Sequence, residues 1–124
     1  HTGLPAVRMD AEAVTGAVIN LLSNAMKFSR ERKEVGVRVY QEDENAIVEI
    51  QDQGIGISAH ELPRIFDRYY RSQDPPAAET PGSGLGLTLV RYIMDAHGGR
   101  VEVKSELGKG SIFRLRFPAG IKTD

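Results

Sequence analysis

Two stretches of alternating apolar and polar residues, each interrupted by a short turn, constrain the fold of this chain more than any other feature. The first covers residues 35–50 with a turn near 42–45, and the second covers residues 101–117 with a turn at 107–110. Alternation with a period of two across a short turn predicts a β-hairpin, and the strands of a hairpin are antiparallel neighbours. The chain is therefore expected to build a sheet dominated by antiparallel pairs.

Each hairpin is preceded by a segment with helical periodicity. Residues 11–28 follow Asp10, a predicted N-cap, and place seven apolar residues on one stripe: Val14, Ala17, Val18, Leu21, Leu22, Ala25 and Phe28. A second helix over residues 85–96 is marked by Leu85, Leu89, Tyr92, Ile93 and Ala96. We expect it to end at a cap formed by Gly98 and Gly99.

With a short strand over residues 4–9 and a short helix after His60, these elements predict an α+β two-layer sandwich. Its sheet is mixed but mostly antiparallel, with about five strands, and about three helices cover one face. The other face is expected to stay partly open, because its alternating positions include Arg38, Glu49, Glu102, Arg114 and Arg116. The proline-rich stretch at residues 73–82 lacks periodicity and predicts a mobile loop.

Composition limits the classes of protein and partner. A length of 124 residues with 40% hydrophobic content suits one compact domain, and a formal net charge of -1 gives no argument for nucleic acid binding. Cysteine is absent, which excludes disulfides and thiolate metal sites. No apolar run reaches the roughly 20 residues that cross a bilayer. The chain begins with His1, so we expect it to be a piece of a longer protein.

Three short polar or glycine-rich segments carry candidate chemistry. In the first, Asn20, Asn24 and Lys27 cluster beside the apolar stripe of the first helix. A magnesium ion takes few protein oxygen ligands, so the amide oxygen of Asn24 is sufficient, and Lys27 can reach a phosphate. The alternative is that both asparagines are structural or solvated polar residues.

The second segment, residues 52–56, follows the second strand of the first hairpin. An ionised Asp52 only accepts hydrogen bonds, and adenine offers an amine donor where guanine has an acceptor. Gly54 and Gly56 permit positive φ and close approach of a flat base to the backbone. Alone, the segment is better explained as an ordinary turn after a strand.

The third segment, residues 82–87, opens the second helix. Gly82, Gly84 and Gly86 leave backbone N–H groups free to hold phosphate oxygens. The spacing is neither that of a dinucleotide fold nor that of a P-loop. A glycine-rich hinge is the alternative.

The order and separation of these segments resemble the catalytic ATP-binding domain of sensor histidine kinases, which has the Bergerat ATPase fold. Residues 20–29 look like the N box of that family, residues 52–56 like its G1 box, residues 63–71 like its F box and residues 82–87 like its G2 box. The resemblance covers nearly the whole chain and includes residues 97–100 and 108–113. It also implies a mobile ATP lid at about residues 67–84.

The resemblance implies roles for individual residues. Asn24 would bind Mg²⁺, Asn20 and Lys27 would support the metal and the phosphates, and Phe28 would pack beside the adenine that Asp52 reads. Phe28 stands where tyrosine is common in the family, which keeps the ring but loses a hydroxyl.

The remaining implied roles fall on the two pocket walls and the lid. Gly54, Gly56 and Ile57 would shape the base pocket, Phe66 would anchor the lid, and Arg71 would act on phosphates or dock the substrate domain. The phosphate side would be formed by Gly82, Gly84, Leu85, Gly86 and Leu87.

The resemblance also implies a mechanism. Related topoisomerase and chaperone ATPases carry a glutamate that activates water one helical turn before the metal-binding asparagine, where this chain has Asn20. A carboxamide is no general base, so ATP should need another nucleophile. None of His1, His60 and His97 lies in a phosphoacceptor pattern.

The expected partners follow from that need. They are a histidine phosphoacceptor and dimerisation domain of the same parent, upstream of His1, and the receiver domain of a response regulator. The isolated domain would be monomeric and cytoplasmic, and its parent a membrane-anchored homodimer.

Three other functions stay open at this point. The domain is alternatively a nucleotide-sensing interaction module, an anti-sigma-factor type of serine kinase with the same fold, or a scaffold that binds no nucleotide.

Overall fold

The computed structural model describes residues 10–27, 34–67 and 86–118, with only the backbone of Ala11 and Lys27. In chain order its elements are α1 (Ala11–Lys27), β1 (Val35–Glu42), β2 (Asn45–Asp52), a 3-10 helix (Leu62–Arg64), α2 (Gly86–Ala96), β3 (Arg100–Glu106) and β4 (Gly110–Phe117). Both predicted hairpins and both longer predicted helices are present. None of the helices within these ranges is long and apolar enough to span a bilayer.

The strands form one sheet in the order β1-β2-β4-β3, and every pair is antiparallel. The described residues thus contain four strands, two α-helices and one 3-10 helix, where the sequence predicted a mixed sheet with about five strands and three helices. The strand predicted at residues 4–9 lies outside the described residues. Nearly all of the lid predicted at residues 67–84 also lies outside them.

The core forms between the two helices and one face of the sheet. The α1 stripe is confirmed for Val14, Ala17, Leu21 and Ala25, which are buried, with Val18 and Leu22 half-buried; Phe28 lies outside the described residues. The sheet contributes residues that share one face, including Ala46, Ile50, Phe113, Leu115 and Phe117. This packing holds both helices against the sheet face on which Asp52, at the end of β2, also lies.

The buried face of α2 differs from the predicted one. Val90, Ile93 and Met94 are buried, whereas Leu89 is 45% exposed and Tyr92 is 71% exposed. Helical spacing fits both stripes, and contact with the sheet and α1 selects the one centred on Val90 and Ile93. The extent of the helix was predicted well, but its orientation was not.

The end of α2 is a Schellman cap, as the paired glycines predicted. Gly98 has a φ of +72°, its N–H donates to the Asp95 carbonyl, and the Gly99 N–H donates to the Met94 carbonyl. A side chain at Gly98 would be strained in this left-handed conformation. The cap turns the chain directly into β3.

The outer face of the sheet carries the predicted charged residues, and their side chains pair with one another and cover its centre. Two clusters cover it, one of Glu49 with Arg38, Tyr40 and Arg114, and one of Arg116 with Glu42 and Glu102. Glu49 is only 2% exposed, and Ile47 is fully buried beneath the clusters. The prediction that this face is partly open is therefore wrong at its centre, because neighbouring strands supply opposite charges that fold over it.

Candidate functional site

Asp52 is the last residue of β2 and lies on the helix-covered face of the sheet. It is 8% exposed, and its carboxylate accepts a hydrogen bond from the backbone N–H of Gly54 at 2.8 Å. Burial raises the pKa of Asp52, and the backbone N–H groups of Gly54 and Ser111 only partly oppose that rise. Among the described residues no lysine or arginine forms an ion pair with it.

The loop after Asp52 is attached to the β3–β4 hairpin. The Gly108 N–H donates to the Ile55 carbonyl at 2.8 Å, and Gly56 has a φ of +75°. A Cβ at Gly56 would collide with the Glu106 carbonyl oxygen, so only glycine fits there. Gly54 does not use a positive φ, and its contribution is the N–H that it donates to Asp52.

The two helices are antiparallel neighbours, which determines where the polar flank of α1 lies. At one end, the Asp10 N–H donates to His97 Nε2 at 2.9 Å, joining the start of α1 to the end of α2. His97 also packs edge-on against Phe117, at the far end of β4 from Ser111. At the other end, a Cβ on Gly86 would lie 3.1 Å from Asn20 Oδ1.

That second end is also where β2 terminates. Phe66 packs edge-on against Phe113 with ring centroids 6.5 Å apart, and its carbonyl accepts a hydrogen bond from Thr88 in the first turn of α2. Phe113 is two residues from Ser111, the residue that pairs with Asp52. The start of α2, the second half of α1 and the end of β2 therefore lie at one end of the molecule.

Asn20 and Asn24 occupy this end with different hydrogen bonding. Both are half-buried, and Asn20 Nδ2 donates to the Gly16 carbonyl one turn earlier, at 3.0 Å. Within the described part of the chain, the Asn24 amide makes no hydrogen bond. No described residue therefore hydrogen-bonds to its oxygen.

The remaining predicted site residues divide into two groups. Ile57, Phe66 and Leu87 are half-buried and pack against the core, and Gly86 is the first residue of α2. The others lie outside the described residues, or have side chains that do, and their roles stay predictions: Lys27, Phe28, Arg71, Gly82, Gly84 and Leu85.

A metal at this site would depend on few protein ligands. The described residues contain no cluster of three or more histidine, aspartate or glutamate side chains that could hold an ion. A magnesium ion commonly uses one or two protein oxygens and takes the rest from phosphates and water. The amide oxygen of Asn24, to which no described residue hydrogen-bonds, fits that requirement.

Sequence reasoning missed two serines beneath the loop. The Ser105 hydroxyl accepts a hydrogen bond from the Ile57 N–H at 2.7 Å and lies 2.7 Å from the Ser111 hydroxyl. A signal was present, because both serines occupy inward positions of the second hairpin, where the neighbouring inward residues are apolar. A polar residue at such a position needs a hydrogen-bonding partner.

Comparison with known proteins gives concordant results. A model of the family described as histidine kinase-, DNA gyrase B-, and HSP90-like ATPase matches residues 9–121. The chain is 38% identical over 112 residues to the sensor protein KdpD of Clostridium acetobutylicum, covering 90% of this chain and 12% of that protein. It is 37% identical over 116 residues to the phosphate regulon sensor protein PhoR of Pseudomonas aeruginosa, covering 91% and 26%.

Solved structures share the fold. A mycobacterial sensor histidine kinase, MprB, superimposes with a TM-score of 0.81 at 37% identity, over 91% of this chain and 76% of that one. Full-length ShkA, solved in complex with AMPPNP, has a TM-score of 0.77 at 27% identity, over 98% of this chain and 24% of that one. The chain spans 12% and 26% of the length of the two curated relatives. It belongs to the family of histidine kinase-, DNA gyrase B- and HSP90-like ATPases, and the resemblance predicted from its motif segments is confirmed.

Proposed function

We propose that this domain binds Mg-ATP and transfers the γ-phosphoryl group to a histidine on a separate phosphoacceptor and dimerisation domain. One observation carries the proposal. Within the described residues, a buried carboxylate without a cationic partner, a half-buried asparagine whose amide makes no hydrogen bond, and the start of a helix lie at the same end of the molecule. These are the groups that recognise a base, a metal and phosphates.

Asp52 suits recognition of the adenine amine. A carboxylate has about four acceptor positions, and among the described residues the Gly54 N–H uses one of them. An amine of the ligand would donate a hydrogen bond to an acceptor position that remains unused on this buried carboxylate. A guanine carbonyl at the same position would face the carboxylate with a second acceptor, which is repulsive.

The phosphates would lie between α1 and the start of α2. The first backbone N–H groups of α2, from Gly86 onward, have no partner within the helix and favour anions. The Asn24 amide oxygen would hold Mg²⁺, which when bound neutralises charge on the phosphates. Lys27, Gly82, Gly84, Leu85, Leu87 and Arg71 are proposed to complete the phosphate side, and Phe28 the base side.

Asn20 favours transfer of the γ-phosphoryl group to another group over its hydrolysis. Its Nδ2 is held by the Gly16 carbonyl and its Oδ1 faces Gly86, and an amide does not take a proton from water at neutral pH. The domain would therefore position the γ-phosphoryl group without giving it to water efficiently.

The two described histidines do not suit the role of acceptor. His97 uses both ring nitrogens, one accepting from the Asp10 N–H and the other donating to the Ile93 carbonyl at 2.7 Å, at the far end from Asp52. His60 lies in an exposed turn. We therefore propose that the acceptor lies on another domain of the parent, and that the parent is a membrane-anchored dimer whose cytoplasmic part passes phosphate to a response regulator.

The proposal is tested by adding the upstream phosphoacceptor domain, fused or in trans, together with Mg²⁺ and ATP labelled on the γ-phosphate. The expected product is acid-labile phosphohistidine on the added domain. The Asn24→Ala variant should lose this product, whereas Ser23→Ala, which alters an exposed neighbour on the same helix, should retain it.

Other outcomes would select the alternatives. Acid-stable label on a partner protein would indicate a serine kinase, and ATP binding without transfer would indicate a nucleotide-sensing module. At 100 times its dissociation constant, Mg-ATP should stabilise the folded domain by about 2.7 kcal/mol. A melting temperature unchanged by Mg-ATP would contradict nucleotide binding and favour a scaffold.

A further inference from the structure

We propose that Ser105 is a positioning residue for base recognition, because its hydroxyl joins the loop after Asp52 to the start of β4. The inference rests on the proposed function, in which Asp52 reads the adenine amine. It adds a residue outside the four motif segments to the specificity-determining part of the site.

The hydrogen bonds of the Ser105 hydroxyl have a defined direction. It accepts from the Ile57 N–H at 2.7 Å and donates its own hydrogen to the Gly110 carbonyl at 3.0 Å. The Ser111 hydroxyl, 2.7 Å away, must then be the donor in their contact, since Ser105 has only one hydrogen to give. One oxygen atom therefore holds a loop and a strand end together.

Strand register connects this hydroxyl to Asp52. Ser105 on β3 pairs with Ser111 on β4, and Ser111 pairs in turn with Asp52 on β2. Directly paired residues share a face of a sheet, so the three side chains form one row at its end. Because Ser111 is the strand partner of Asp52, a shift of β4 at this point would change the surroundings of the Asp52 carboxylate, whose pKa the Ser111 backbone N–H acts to lower.

The loop itself provides the second connection. Its other described links to the second hairpin are the hydrogen bond from the Gly108 N–H to the Ile55 carbonyl and the close approach of Gly56 to Glu106. Both depend on backbone, whereas the link from Ile57 to Ser105 depends on a side chain. Substituting Ser105 would loosen the loop that carries the Gly54 N–H, which donates to Asp52.

A positioning role makes a selective prediction. Hydrogen bonds weaken steeply as their angle departs from linearity, so a tilted Asp52 would bind the adenine amine less well. The phosphate end is formed by α1 and the start of α2 and does not contact Ser105. Loss of the hydroxyl should therefore impair recognition of the base more than binding of the phosphates.

The experiment compares ATP with inosine triphosphate, which has a carbonyl oxygen in place of the adenine amine. Dissociation constants are measured by calorimetry with Mg²⁺ present. Wild-type protein should prefer ATP, and Ser105→Ala should reduce that preference by about fivefold or more, the loss of roughly one hydrogen bond. The affinity for inosine triphosphate should stay within about twofold, because that ligand makes no such hydrogen bond.

Matched variants separate positioning from general destabilisation. Ser105→Thr keeps a hydroxyl and should restore most of the preference, and Lys104→Ala, at an exposed neighbouring position, should leave it unchanged. Should Ser105→Ala not fold, Ser105→Cys retains the side-chain shape with a weaker acceptor and should show the same selective loss.

Two results for Ser105→Ala would overturn the inference. Either the affinities for both nucleotides fall equally, or neither affinity changes. If the preference disappears in Asp52→Asn but persists in Ser105→Ala, only the role of Ser105 is rejected. If wild-type protein shows no preference for ATP, base reading by Asp52 is rejected as well, and with it that part of the proposed function.

Discussion

Asp52 and Glu49 are two buried carboxylates on the same strand, three residues apart, and their surroundings differ completely. Asp52 is 8% exposed and faces the helices, and Glu49 is 2% exposed and faces outward. Burial raises the pKa of Asp52, opposed only by two backbone N–H groups. Burial would also raise the pKa of Glu49, but hydrogen bonds from Arg114 and Tyr40 and nearby guanidinium charges outweigh it and lower that pKa.

The difference supports the proposal that Glu49 is a structural carboxylate and that Asp52 binds a ligand. Glu49 has its charge compensated by the protein, with Arg114 Nε at 2.8 Å and the Tyr40 hydroxyl at 2.9 Å. Asp52 has no such compensation among the described residues, which is unfavourable for the protein alone. A pocket that is incompletely satisfied without its ligand is what selective recognition of an amine requires.

The largest expected effect is on the free energy of unfolding, and it concerns Glu49, whose charge the protein compensates. Arg114→Met keeps much of the side-chain volume but leaves Glu49 without its best partner, and we expect the free energy of unfolding to fall by about 3 kcal/mol. Urea denaturation measures this change. Lys109→Met, at an exposed residue paired with Glu106, is the control and should change stability by less than about 0.5 kcal/mol. A similar, small change in both variants would show that the outer cluster contributes little.

The next effect is on binding. Asp52→Asn presents a donor as well as an acceptor, and loss of a hydrogen bond to a charged group should weaken ATP binding by about 2 kcal/mol, or roughly 30-fold. Stability without nucleotide should not fall, because the variant removes a charge whose burial is unfavourable. Calorimetric titration and denaturation measure the two quantities, and Glu49→Gln, which should lose stability but retain affinity, is the matched control. Reversal of this pattern would contradict the division of roles.

The pH dependence of stability should have opposite signs at the two sites. The folded-state pKa of Glu49 is lowered, so its contribution is present above the ordinary glutamate pKa and is lost as the pH falls through the lower folded value. The folded-state pKa of Asp52 is raised, so its unfavourable contribution appears as the pH rises through the ordinary aspartate pKa toward the raised value.

Denaturation of wild-type, Asp52→Asn and Glu49→Gln proteins across the acid range tests these signs. From acidic to neutral pH, Asp52→Asn should gain stability relative to wild type, and Glu49→Gln should lose it. Parallel curves for both variants would mean that the two carboxylates titrate alike in the folded state and that the contrast between them is incorrect.

The smallest effect concerns one neutral partner of Glu49. Tyr40→Phe removes the hydroxyl that donates to Glu49 Oε1 while Arg114 remains, and it should lower the free energy of unfolding by about 1 kcal/mol. Tyr92→Phe makes the same chemical change at a side chain that is 71% exposed and should have no measurable effect. Equal effects of the two substitutions would show that the Tyr40 hydroxyl does not contribute to the stability of the cluster.

Much of the fold was predictable because the signals are local. The N-cap at Asp10, the glycine cap after α2 and both hairpins depend on residues a few positions apart, and each was found from its pattern. The orientation of α2 could not be predicted in this way, because Leu89 and Val90 fit helical periodicity equally well. Packing against distant strands decided between them.

The candidate site shows the same division. Asp52, Asn24 and Gly86 were selected by residue type and spacing, whereas Ser105 was overlooked because its role depends on Ile57, which is 48 positions away. No local pattern indicates which loop a strand residue will contact. The signal, a serine at an inward position of a hairpin, shows only that some partner is needed.

By itself the sequence determined the secondary structure, the family and the chemical types at the site, because periodicity, turn residues and motif spacing are properties of neighbouring residues. Only the tertiary structure decided how the charges of the two β2 carboxylates are compensated. Glu49 pairs with Arg114, which is 65 positions away in the sequence, and Asp52 pairs with no cationic side chain within the described residues. The pKa of a buried group depends on which distant residues surround it, and folding alone brings those residues together.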